Sequence, residues 1–352
     1  MPKDHLCPVC AASSLSVFFE TLSVPVYCNL LWPSREAALQ TPRGDIVLGF
    51  CNACGFICNM AFDPARLRYN ADYENSLHFS PRFQAYAQEL ASRLVLQYDL
   101  HGKDIIEIGC GKGEFLALLC KLGGNRGVGF DPSFVNEQND DKAVDVTFIQ
   151  DVYSERYADY KAGFICSRHT LEHIAHPKEF LTQVRRAIGE QRQAVVFFEV
   201  PNALFTLCDL AIWDIIYEHC SYFSAPSFFR LFASCGFEVK QITEAFEGQF
   251  LCLEAMPAAP KKAFAVPHDD LEKVSQWVAE FPARYRSKIE TWKQRLEQLK
   301  ESGKRVVVWG AGSKGVTFLN ILGIQDEIAY VVDINPRKQG MYVAGTGQRI
   351  VA

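Results

Sequence analysis

The chain has 352 residues, of which 49% are hydrophobic and 22% charged, and its formal net charge is -5. This length predicts two or three domains. The acidic balance argues against a nucleic-acid-binding protein, and the sequence has no run of about 18 apolar residues that would predict a membrane span. Thirteen cysteines, in a chain whose N-terminus has no apolar signal core, indicate a cytoplasmic protein with free or metal-bound thiols.

Two C-x2-C pairs, Cys7 with Cys10 and Cys51 with Cys54, mark the N-terminal segment. Each pair can present two thiolates from a tight turn, and four thiolates complete the tetrahedral coordination of a structural zinc ion. The alternative is a set of unpaired core cysteines, which is the common fate of free cysteine. We predict a zinc-binding domain over residues 1–68, with a small β insertion between the pairs. A nucleic-acid-binding zinc ribbon is a second possibility, which the acidic balance disfavours.

A polar stretch rich in tyrosine, residues 69–76, separates this segment from the next. It is either an ordinary surface linker or a lid over a substrate pocket, in which case Tyr73 would contact the substrate. A helix predicted over residues 81–98 then leads into the first strand of a second domain, which we place at residues 69–258.

The stretch 104–115 has the pattern of a buried strand that ends in a glycine turn and opens a helix. The glycines, Gly109, Gly111 and Gly113, allow the backbone to turn sharply and to approach a ligand closely. With Glu107 in front of them, the spacing is Glu-x-Gly-x-Gly-x-Gly. The dinucleotide fingerprint G-x-G-x-x-G would need its third glycine one residue later. The spacing instead resembles the first motif of class I methyltransferases that use S-adenosylmethionine (SAM). The alternative is a tight turn that binds nothing.

The next two predicted strands each end in an acid. Asp131 ends the second strand, and Asp151 ends the third. An acid at the end of the second strand can accept hydrogen bonds from ribose hydroxyls. The methyltransferase pattern places the acid of the third strand near the adenine amino group. Strands and helices alternate through this region, so we predict a mostly parallel α/β sheet with a SAM site.

The fourth predicted strand is followed by His169, Glu172 and His173. Ligands bind beyond the carboxyl ends of the strands in such sheets, so these side chains are well placed for a cofactor or a substrate. We take His169 as a candidate cofactor contact. The alternative is a helix start in which Glu172 and His173 face solvent.

A run at residues 213–224 contains three chemically active residues in succession, Tyr217, Glu218 and His219. Imidazole is the side chain best suited to move a proton at neutral pH. A lone histidine before a helix is more often structural, but the neighbouring phenol and carboxylate favour a catalytic role here. Tyr222, in the same run, is a candidate substrate contact.

The C-terminal segment, residues 259–352, contains a second glycine motif. A linker that begins at Met256 precedes a long amphipathic helix, which Pro282 is expected to kink or split. Residues 310–315 then form a true G-x-G-x-x-G between a strand and a helix, and Asp333 ends the next strand. This pattern is either an NAD fingerprint or a small Rossmann-like domain that binds no dinucleotide.

These motifs together resemble the zinc-containing nucleotide-sugar C-methyltransferases of deoxysugar biosynthesis. The resemblance rests on the cysteine pairs, the first glycine motif, Leu171-Glu-His-Ile, the run 217–224 and Val-Trp-Gly-Ala-Gly-Ser-Lys-Gly near the C-terminus. It implies a class I SAM methyltransferase domain between an N-terminal zinc domain and a C-terminal Rossmann-like domain. Members of the family continue roughly 50 residues beyond Ala352, so the last domain is expected to be partial.

The resemblance also implies roles for individual residues. The family's Tyr-His-Glu-His motif is matched by Tyr-Glu-His, with one histidine fewer. Its last histidine is the proposed general base, and His219 is the match, with Tyr217 and Glu218 as its neighbours and His173 as a second candidate. Lys314 and the amides around it would help to hold a nucleotide-linked substrate.

Methylation of carbon requires removal of a proton beside a ketone, so the site needs a base and a group that stabilises the enolate oxygen. We expect His219 to take the proton and Tyr217 or His173 to stabilise the oxygen. The alternatives are a SAM-dependent O- or N-methyltransferase and, less favoured, an NAD-dependent oxidoreductase. The expected partner is a small nucleotide-sugar substrate, without nucleic acid or membrane, and the expected state is a monomer or homodimer.

Overall fold

The N-terminal segment folds as a small antiparallel sheet. The computed structural model describes residues 6–12, 15–67, 73–135, 144–259, 268–324 and 327–352. In these residues, the sheet has the strand order β1-β2-β3-β9. The strands are β1 (Ser16–Pro25), β2 (Arg43–Phe50), β3 (Ile57–Asn59) and β9 (Ser221–Tyr222). The predicted β insertion between the cysteine pairs is therefore present. The last strand comes from the middle segment, so the two segments share this sheet.

A short helix, α1 (Arg35–Leu39), lies between β1 and β2, where the sequence around Trp32-Pro and Thr41-Pro predicts a loop and a turn. The side chain of Ser34 accepts a hydrogen bond from the Ala37 amide and caps the helix. This local bond explains why a loop was the wrong expectation, because an N-cap serine satisfies one of the amides that a helix start leaves unpaired. Residues 69–72 of the tyrosine-rich stretch lie outside the described residues.

The second domain is built on a mixed sheet, with seven strands in the described part of the chain and the order β10-β11-β8-β7-β4-β5-β6. The strands are β4 (Asp104–Ile108), β5 (Arg126–Phe130), β6 (Asp145–Ile149), β7 (Phe164–Arg168), β8 (Val195–Pro201), β10 (Phe237–Ala245) and β11 (Phe250–Pro257). The five from β4 to β8 run parallel, and β11 lies antiparallel to both β8 and β10. This order confirms the predicted class I methyltransferase fold.

Helices cover the sheet on both faces. They are α2 (Pro81–Gln97), α3 (Glu114–Gly123), α4 (Pro177–Ile188) and α6 (Ala225–Ser234), whereas α5 (Ala203–Leu207) packs in the apolar cluster of the N-terminal sheet. All five residues of β7 are buried, as expected for a central parallel strand packed by helices on both sides. The strand order reverses between β4 and β7, which places the ligand crevice at the carboxyl ends of these two strands.

The sequence placed a linker at Met256, but β11 continues to Pro257. Met256 pairs with Glu238 and Pro257 with Phe237, so cross-strand pairing extends the strand through residues that locally favour a turn. The remainder of the predicted linker, residues 260–267, lies outside the described residues.

The long amphipathic segment forms one helix, α7 (His268–Glu301), with Pro282 inside it. The prediction that proline would split it is wrong. Phe281 is fully buried, and its ring packs edge-on against Phe19 at 5.3 Å and Phe18 at 6.2 Å. The helix therefore lies on β1 of the N-terminal sheet as well as beside α5, and this apolar packing outweighs the hydrogen bond that proline removes.

The C-terminal segment forms a small parallel α/β unit. In the described residues its strands have the order β12-β13-β14. They are β12 (Val306–Trp309), β13 (Ile328–Val332) and β14 (Arg349–Val351), and α8 (Ser313–Leu322) follows β12. The predicted Rossmann-like strand-glycine-helix unit is present. None of the described helices combines the length and the apolar run needed to cross a membrane.

Candidate active site

The glycine turn between β4 and α3 lies at the strand-order reversal. All three glycines have positive φ, at +72° for Gly109, +55° for Gly111 and +83° for Gly113. A Cβ on Gly109 would lie 2.0 Å from Thr170 Oγ1, whereas a Cβ on Gly111 would meet no described atom within 4 Å. The turn is therefore tightly packed at its base and open at its tip, as a loop that approaches a ligand requires.

Glu107 is the penultimate residue of β4, just before this turn, and is 2% exposed. Its Oε2 is buried with no hydrogen-bond partner among the described residues. Burial raises the pKa of this carboxyl to about 8, despite the nearby charge of Arg168. A buried acceptor without a partner is costly, so the site is suited to a ligand that brings hydrogen-bond donors, and the hydroxyl and ammonium groups of SAM fit that need.

Asp131 and Asp151 lie at the ends of neighbouring strands, as predicted. Asp131 Oδ2 accepts a hydrogen bond from the Gly111 amide at 2.8 Å, which ties the glycine turn to β5. Asp151 Oδ2 accepts one from the Tyr157 hydroxyl at 2.5 Å and also pairs with Arg156. The arrangement fits the expected cofactor crevice, and the individual cofactor contacts stay predictions.

A buried ion pair that the motif analysis missed lies between β7 and β8. Arg168 and Glu199 are register partners on these strands, and Arg168 donates two hydrogen bonds to Glu199 Oε1, at 3.0 and 2.9 Å. His169 Nε2 lies 2.8 Å from the same oxygen. Burial alone would raise the pKa of Glu199, but the charge of Arg168 and the hydrogen bonds from His169 and Tyr86 hold that pKa well below its usual range. The sequence signal that could have revealed this ion pair is the presence of opposite charges near the ends of two adjacent parallel strands.

His173 and His219, 46 residues apart in the sequence, have ring centroids 5.0 Å apart. His173 Nδ1 lies 2.9 Å from the Glu218 carbonyl oxygen, and a ring nitrogen of His219 is bonded to the Asp214 carbonyl. A carbonyl only accepts, so each imidazole donates its N–H there, and the second nitrogen carries the lone pair.

Both imidazoles are neutral at physiological pH. Burial lowers the pKa of His173 to about 4. Burial also places the pKa of His219 well below its ordinary value, and the neighbouring His173 lowers it further. Each ring therefore already has the lone pair that a general base requires.

Glu172 lies with the histidine pair. One carboxyl oxygen and one nitrogen from each ring lie within 4.8 Å of one another, which is a possible geometry for a metal ion or for proton transfer. The structure therefore brings together two of the predicted catalytic residues, His173 and His219, with Glu172, which the sequence predicted to be well placed for a cofactor or a substrate.

Tyr217 and Glu218 face the N-terminal segment. The Tyr217 hydroxyl accepts a hydrogen bond from the Asp63 amide at 3.0 Å, and the ring is 1% exposed within the apolar cluster around β2. Glu218 Oε2 accepts a hydrogen bond from the Cys28 amide at 3.0 Å. Burial raises the pKa of Glu218 to about 7, and a hydrogen bond from Tyr73 lowers it. These contacts anchor the loop that carries His219, and a catalytic role for Tyr217 or Glu218 stays a prediction.

The two other predicted substrate contacts lie near the histidine pair. The Tyr222 ring centroid is 6.3 Å from that of His219, and its hydroxyl donates to the Ile216 carbonyl. Lys314 Nζ donates to Gln249 Oε1 at 2.7 Å and lies 3.3 Å from Asp214 Oδ2. Because the Asp214 carbonyl holds His219, the C-terminal glycine loop reaches the candidate active site through Lys314.

Asp333, the acid of the NAD-like motif, is 8% exposed. Its Oδ2 accepts a hydrogen bond from the Ala311 amide at 2.6 Å, and its Oδ1 accepts one from the Asn335 amide at 2.8 Å. Both carboxylate oxygens thus stabilise the protein's own loops. This use of Asp333 disfavours the oxidoreductase interpretation, in which the acid would bind a ribose.

The four predicted zinc ligands form one cluster. Cys7 Sγ lies 3.6 Å from Cys54 Sγ, and Cys10 Sγ lies 3.6 Å from Cys51 Sγ. All four sulfur atoms are within 4.8 Å of one another, and none forms a disulfide. Tetrahedral zinc with Zn–S bonds of about 2.3 Å needs sulfur atoms roughly 3.8 Å apart, so the cluster fits zinc.

Comparison with known proteins adds to this geometry. Residues 80–242 match the sequence model of a family described as a methyltransferase domain. The middle of the chain is thus similar to methyltransferase domains. Residues 268–352 match a second family model, described as a C-methyltransferase C-terminal domain. The enzyme class predicted from the sequence is thus confirmed at the level of the domains.

A curated relative is the C-methyltransferase NovU of Streptomyces niveus, 29% identical over 261 residues, which are 70% of this chain and 61% of NovU. The chain thus spans about three fifths of the length of that relative.

Two solved structures are also similar to the methyltransferase domain. The PH0226 protein of Pyrococcus horikoshii has a TM-score of 0.42 and 16% identity over 51% of this chain and 92% of its own. Magnesium protoporphyrin IX methyltransferase of Synechocystis, with bound S-adenosylhomocysteine, has a TM-score of 0.40 and 17% identity over 50% of this chain and 84% of its own. Because both TM-scores are low, these two structures do not support the fold assignment, which rests on the strand order of the sheet itself.

Proposed function

We propose that this chain catalyses SAM-dependent methylation of a carbon beside a ketone, on a nucleotide-linked keto sugar. The observation that carries the proposal is the His173–His219 pair, two neutral imidazoles next to the cofactor crevice, each oriented by a backbone carbonyl. Transfer of a methyl group to oxygen or nitrogen does not require a carbon-bound proton to be removed, whereas carbon methylation needs a base at this place.

His219 is the base in this proposal. The Asp214 carbonyl fixes which ring nitrogen carries its proton, and the other nitrogen can accept the proton from the substrate. His173 packs edge-on against it and keeps the site free of a second positive charge, because its own ring is neutral. When bound, SAM supplies the electrophilic methyl group to the carbon, and the electron pair of the breaking C–S bond leaves with sulfur.

The nucleotide-linked part of the substrate is inferred from Lys314. Its ammonium is 46% exposed and lies 3.3 Å from Asp214, next to the base, and it stands at the start of α8 beside the open Gly310 and Gly312. A lysine with loop amides at a helix N-terminus is a phosphate-binding arrangement. The match to a C-methyltransferase C-terminal domain and the likeness to NovU support the same reaction class.

The experiment is methyl transfer from labelled SAM to a nucleoside-diphosphate-linked keto sugar, with product analysis by carbon NMR. His219→Asn should lower turnover by about 10²–10⁴-fold, because a general base is lost, while S-adenosylhomocysteine still binds. His101→Asn, the same change at an exposed histidine, serves as the control. A methyl group found on oxygen or nitrogen, or full turnover in the His219 variant, would refute the proposal.

We also propose that Cys7, Cys10, Cys51 and Cys54 hold a structural zinc ion. Metal analysis of the purified protein should find about one zinc per chain, lost in a Cys51→Ser variant. The thirteen cysteines outside disulfides support a reducing compartment, which we take to be the cytoplasm. A small-molecule substrate without nucleic acid or membrane, and a monomer or homodimer, remain parts of this proposal.

A further inference from the structure

Stabilisation of the enolate oxygen is the role that the sequence predicts for Tyr217 or His173. The Tyr217 hydroxyl accepts from the Asp63 amide at 3.0 Å, donates its own proton to the Asp63 carbonyl at 3.4 Å and is buried away from solvent. The ring proton of His173 is donated to the Glu218 carbonyl, so the neutral ring has no second N–H to give. Neither residue can therefore act as the donor in this arrangement.

Glu172 has the opposite properties. It is 2% exposed, and its Oε2 is buried without a hydrogen-bond partner among the described residues. Its carboxyl lies in the same cluster as the ring nitrogens of His173 and His219, all within 4.8 Å. The turn that carries it follows β7, at the end of the sheet where ligands bind. An unpaired buried carboxyl oxygen at this place needs a partner, and we take that partner to be the substrate.

We propose that Glu172, in its protonated form, donates the hydrogen bond that stabilises the enolate oxygen while His219 removes the proton from carbon. The inference rests on the proposed function. In this step the C–H bond breaks and its proton goes to the ring nitrogen of His219. The electron pair forms the C=C bond, and the π pair of the carbonyl moves to the oxygen, where the Glu172 O–H is donated.

The surroundings of Glu172 keep it protonated. Burial raises its pKa to about 8, its own amide lowers it, and the charges of Glu199 and Asp214 raise it. His169 Nδ1 lies 3.9 Å from Glu172 Oε1, and the Cys220 thiol donates to the Glu172 carbonyl. The two imidazoles beside it are neutral. A carboxylic acid kept neutral in an apolar site is a known device for stabilising an enolate, as in ketosteroid isomerase.

The test separates this step from methyl transfer. The full chain is incubated in D₂O with S-adenosylhomocysteine and a nucleoside-diphosphate-linked keto sugar, and exchange of the hydrogen beside the ketone is followed by proton NMR. Glu172→Leu, which removes the donor and keeps the volume, should slow exchange by about 10²–10³-fold. Glu172→Gln keeps an N–H donor and should retain most of the rate. Glu190→Gln, an exposed acid on the same domain, should match the wild type.

The pH profile distinguishes donation from a merely structural role. Wild-type exchange should fall as the pH rises through about 8, because the ionised Glu172 carboxylate cannot donate. Glu172→Gln should lack this alkaline limb, since an amide does not titrate. An alkaline limb unchanged in Glu172→Gln, or full exchange in Glu172→Leu, would overturn the proposal. So would exchange that is lost on mild chelation and restored by Mn²⁺, because a cation would then hold the oxygen.

A failure of the proposed function gives a different pattern. If S-adenosylhomocysteine binds but the wild-type chain exchanges no keto sugar, the substrate class is wrong, and the role of Glu172 falls with it. The protonation state is measured separately on the ligand-free chain by carbon NMR of labelled glutamate, with the Glu172 signal assigned from Glu172→Gln. A Glu172 carboxyl that titrates below pH 5 overturns the donor role for any substrate, and one that stays protonated at pH 7 supports it.

Discussion

The two glycine loops of this chain have the same local design but different surroundings. Each connects a parallel strand to a helix, and in each an acid from the next strand accepts a hydrogen bond from a loop amide. Asp131 binds the Gly111 amide at 2.8 Å, and Asp333 binds the Ala311 amide at 2.6 Å. The backbone geometry that a glycine motif encodes is thus present twice.

The chemistry around the loops differs. In the methyltransferase domain, the residue two positions before the first glycine is Glu107, a buried carboxyl with an unpaired oxygen. In the C-terminal domain, the same position is Val308, an apolar residue. Lys338 also donates to the Ala311 carbonyl and closes that loop from within. A glycine motif therefore specifies a turn, and the polar groups left unpaired around it specify the ligand.

The largest effect that would test this contrast is steric. Gly109→Ala places a Cβ 2.0 Å from Thr170 Oγ1 at a φ of +72°, so we expect a loss of about 2–5 kcal/mol of unfolding free energy. Gly312→Ala, in the other loop, meets no described atom within 4 Å and should change stability by about 0.5 kcal/mol or less. Urea denaturation of both variants measures the difference, and equal losses would contradict the packing difference between the loops.

Ligand binding should also separate the loops. S-adenosylhomocysteine at a hundredfold its dissociation constant should add about 2.7 kcal/mol to the unfolding free energy, because the Glu107 loop has the unpaired acceptor. NAD should produce no shift, because Asp333 is occupied by loop amides. Thermal unfolding with each ligand tests this expectation, and stabilisation by NAD alone would reverse the assignment of the two loops.

The charge of Glu107 should appear in the pH dependence of stability. Its pKa is raised from 4.5 to about 8 in the folded chain, so between these values the folded state binds more protons than the unfolded state. The contribution of Glu107 to the unfolding free energy is complete below pH 4.5 and is lost as the pH rises through about 8. In Glu107→Gln, the slope of the unfolding free energy against pH should therefore change by up to about 1.4 kcal/mol per pH unit. Denaturation of both chains from pH 5 to 9 measures it, and identical slopes would mean that Glu107 is ionised.

The smallest effect concerns the second loop. Lys314→Met removes a half-exposed ammonium held by Gln249 and Asp214. We expect KM for the nucleotide-linked substrate to rise roughly 5–10-fold, about 1 kcal/mol, with kcat and the affinity for S-adenosylhomocysteine unchanged. Lys240→Met, on an exposed part of β10, is the matched control. An unchanged KM would remove the C-terminal loop from substrate binding.

Features encoded by residues close together in the chain were predictable. The strand-glycine-helix unit at Glu107, the strand-end acids and the two C-x2-C pairs depend on local spacing, and each lies where the sequence placed it. The amphipathic pattern of α7 likewise predicted a long helix. It did not predict that the helix would continue through Pro282, because the packing of Phe281 on β1 is a contact between distant segments.

The candidate site itself was only partly predictable. The sequence singled out His219 and His173 as separate candidates, and folding brings their rings to 5.0 Å. The sequence predicted Tyr217 as a group that stabilises the enolate oxygen. Its hydroxyl instead binds the backbone of Asp63, which lies 154 residues away in the chain.

Sequence alone determined which chemical groups this protein has and which local turns can present them. Tertiary structure decided which of those groups are paired, which are neutral and which are left without a partner, as in Glu107 and Glu172. The physical reason is that burial and hydrogen-bond partners set the charge and the availability of a side chain. Both are fixed by contacts between segments that no local pattern records.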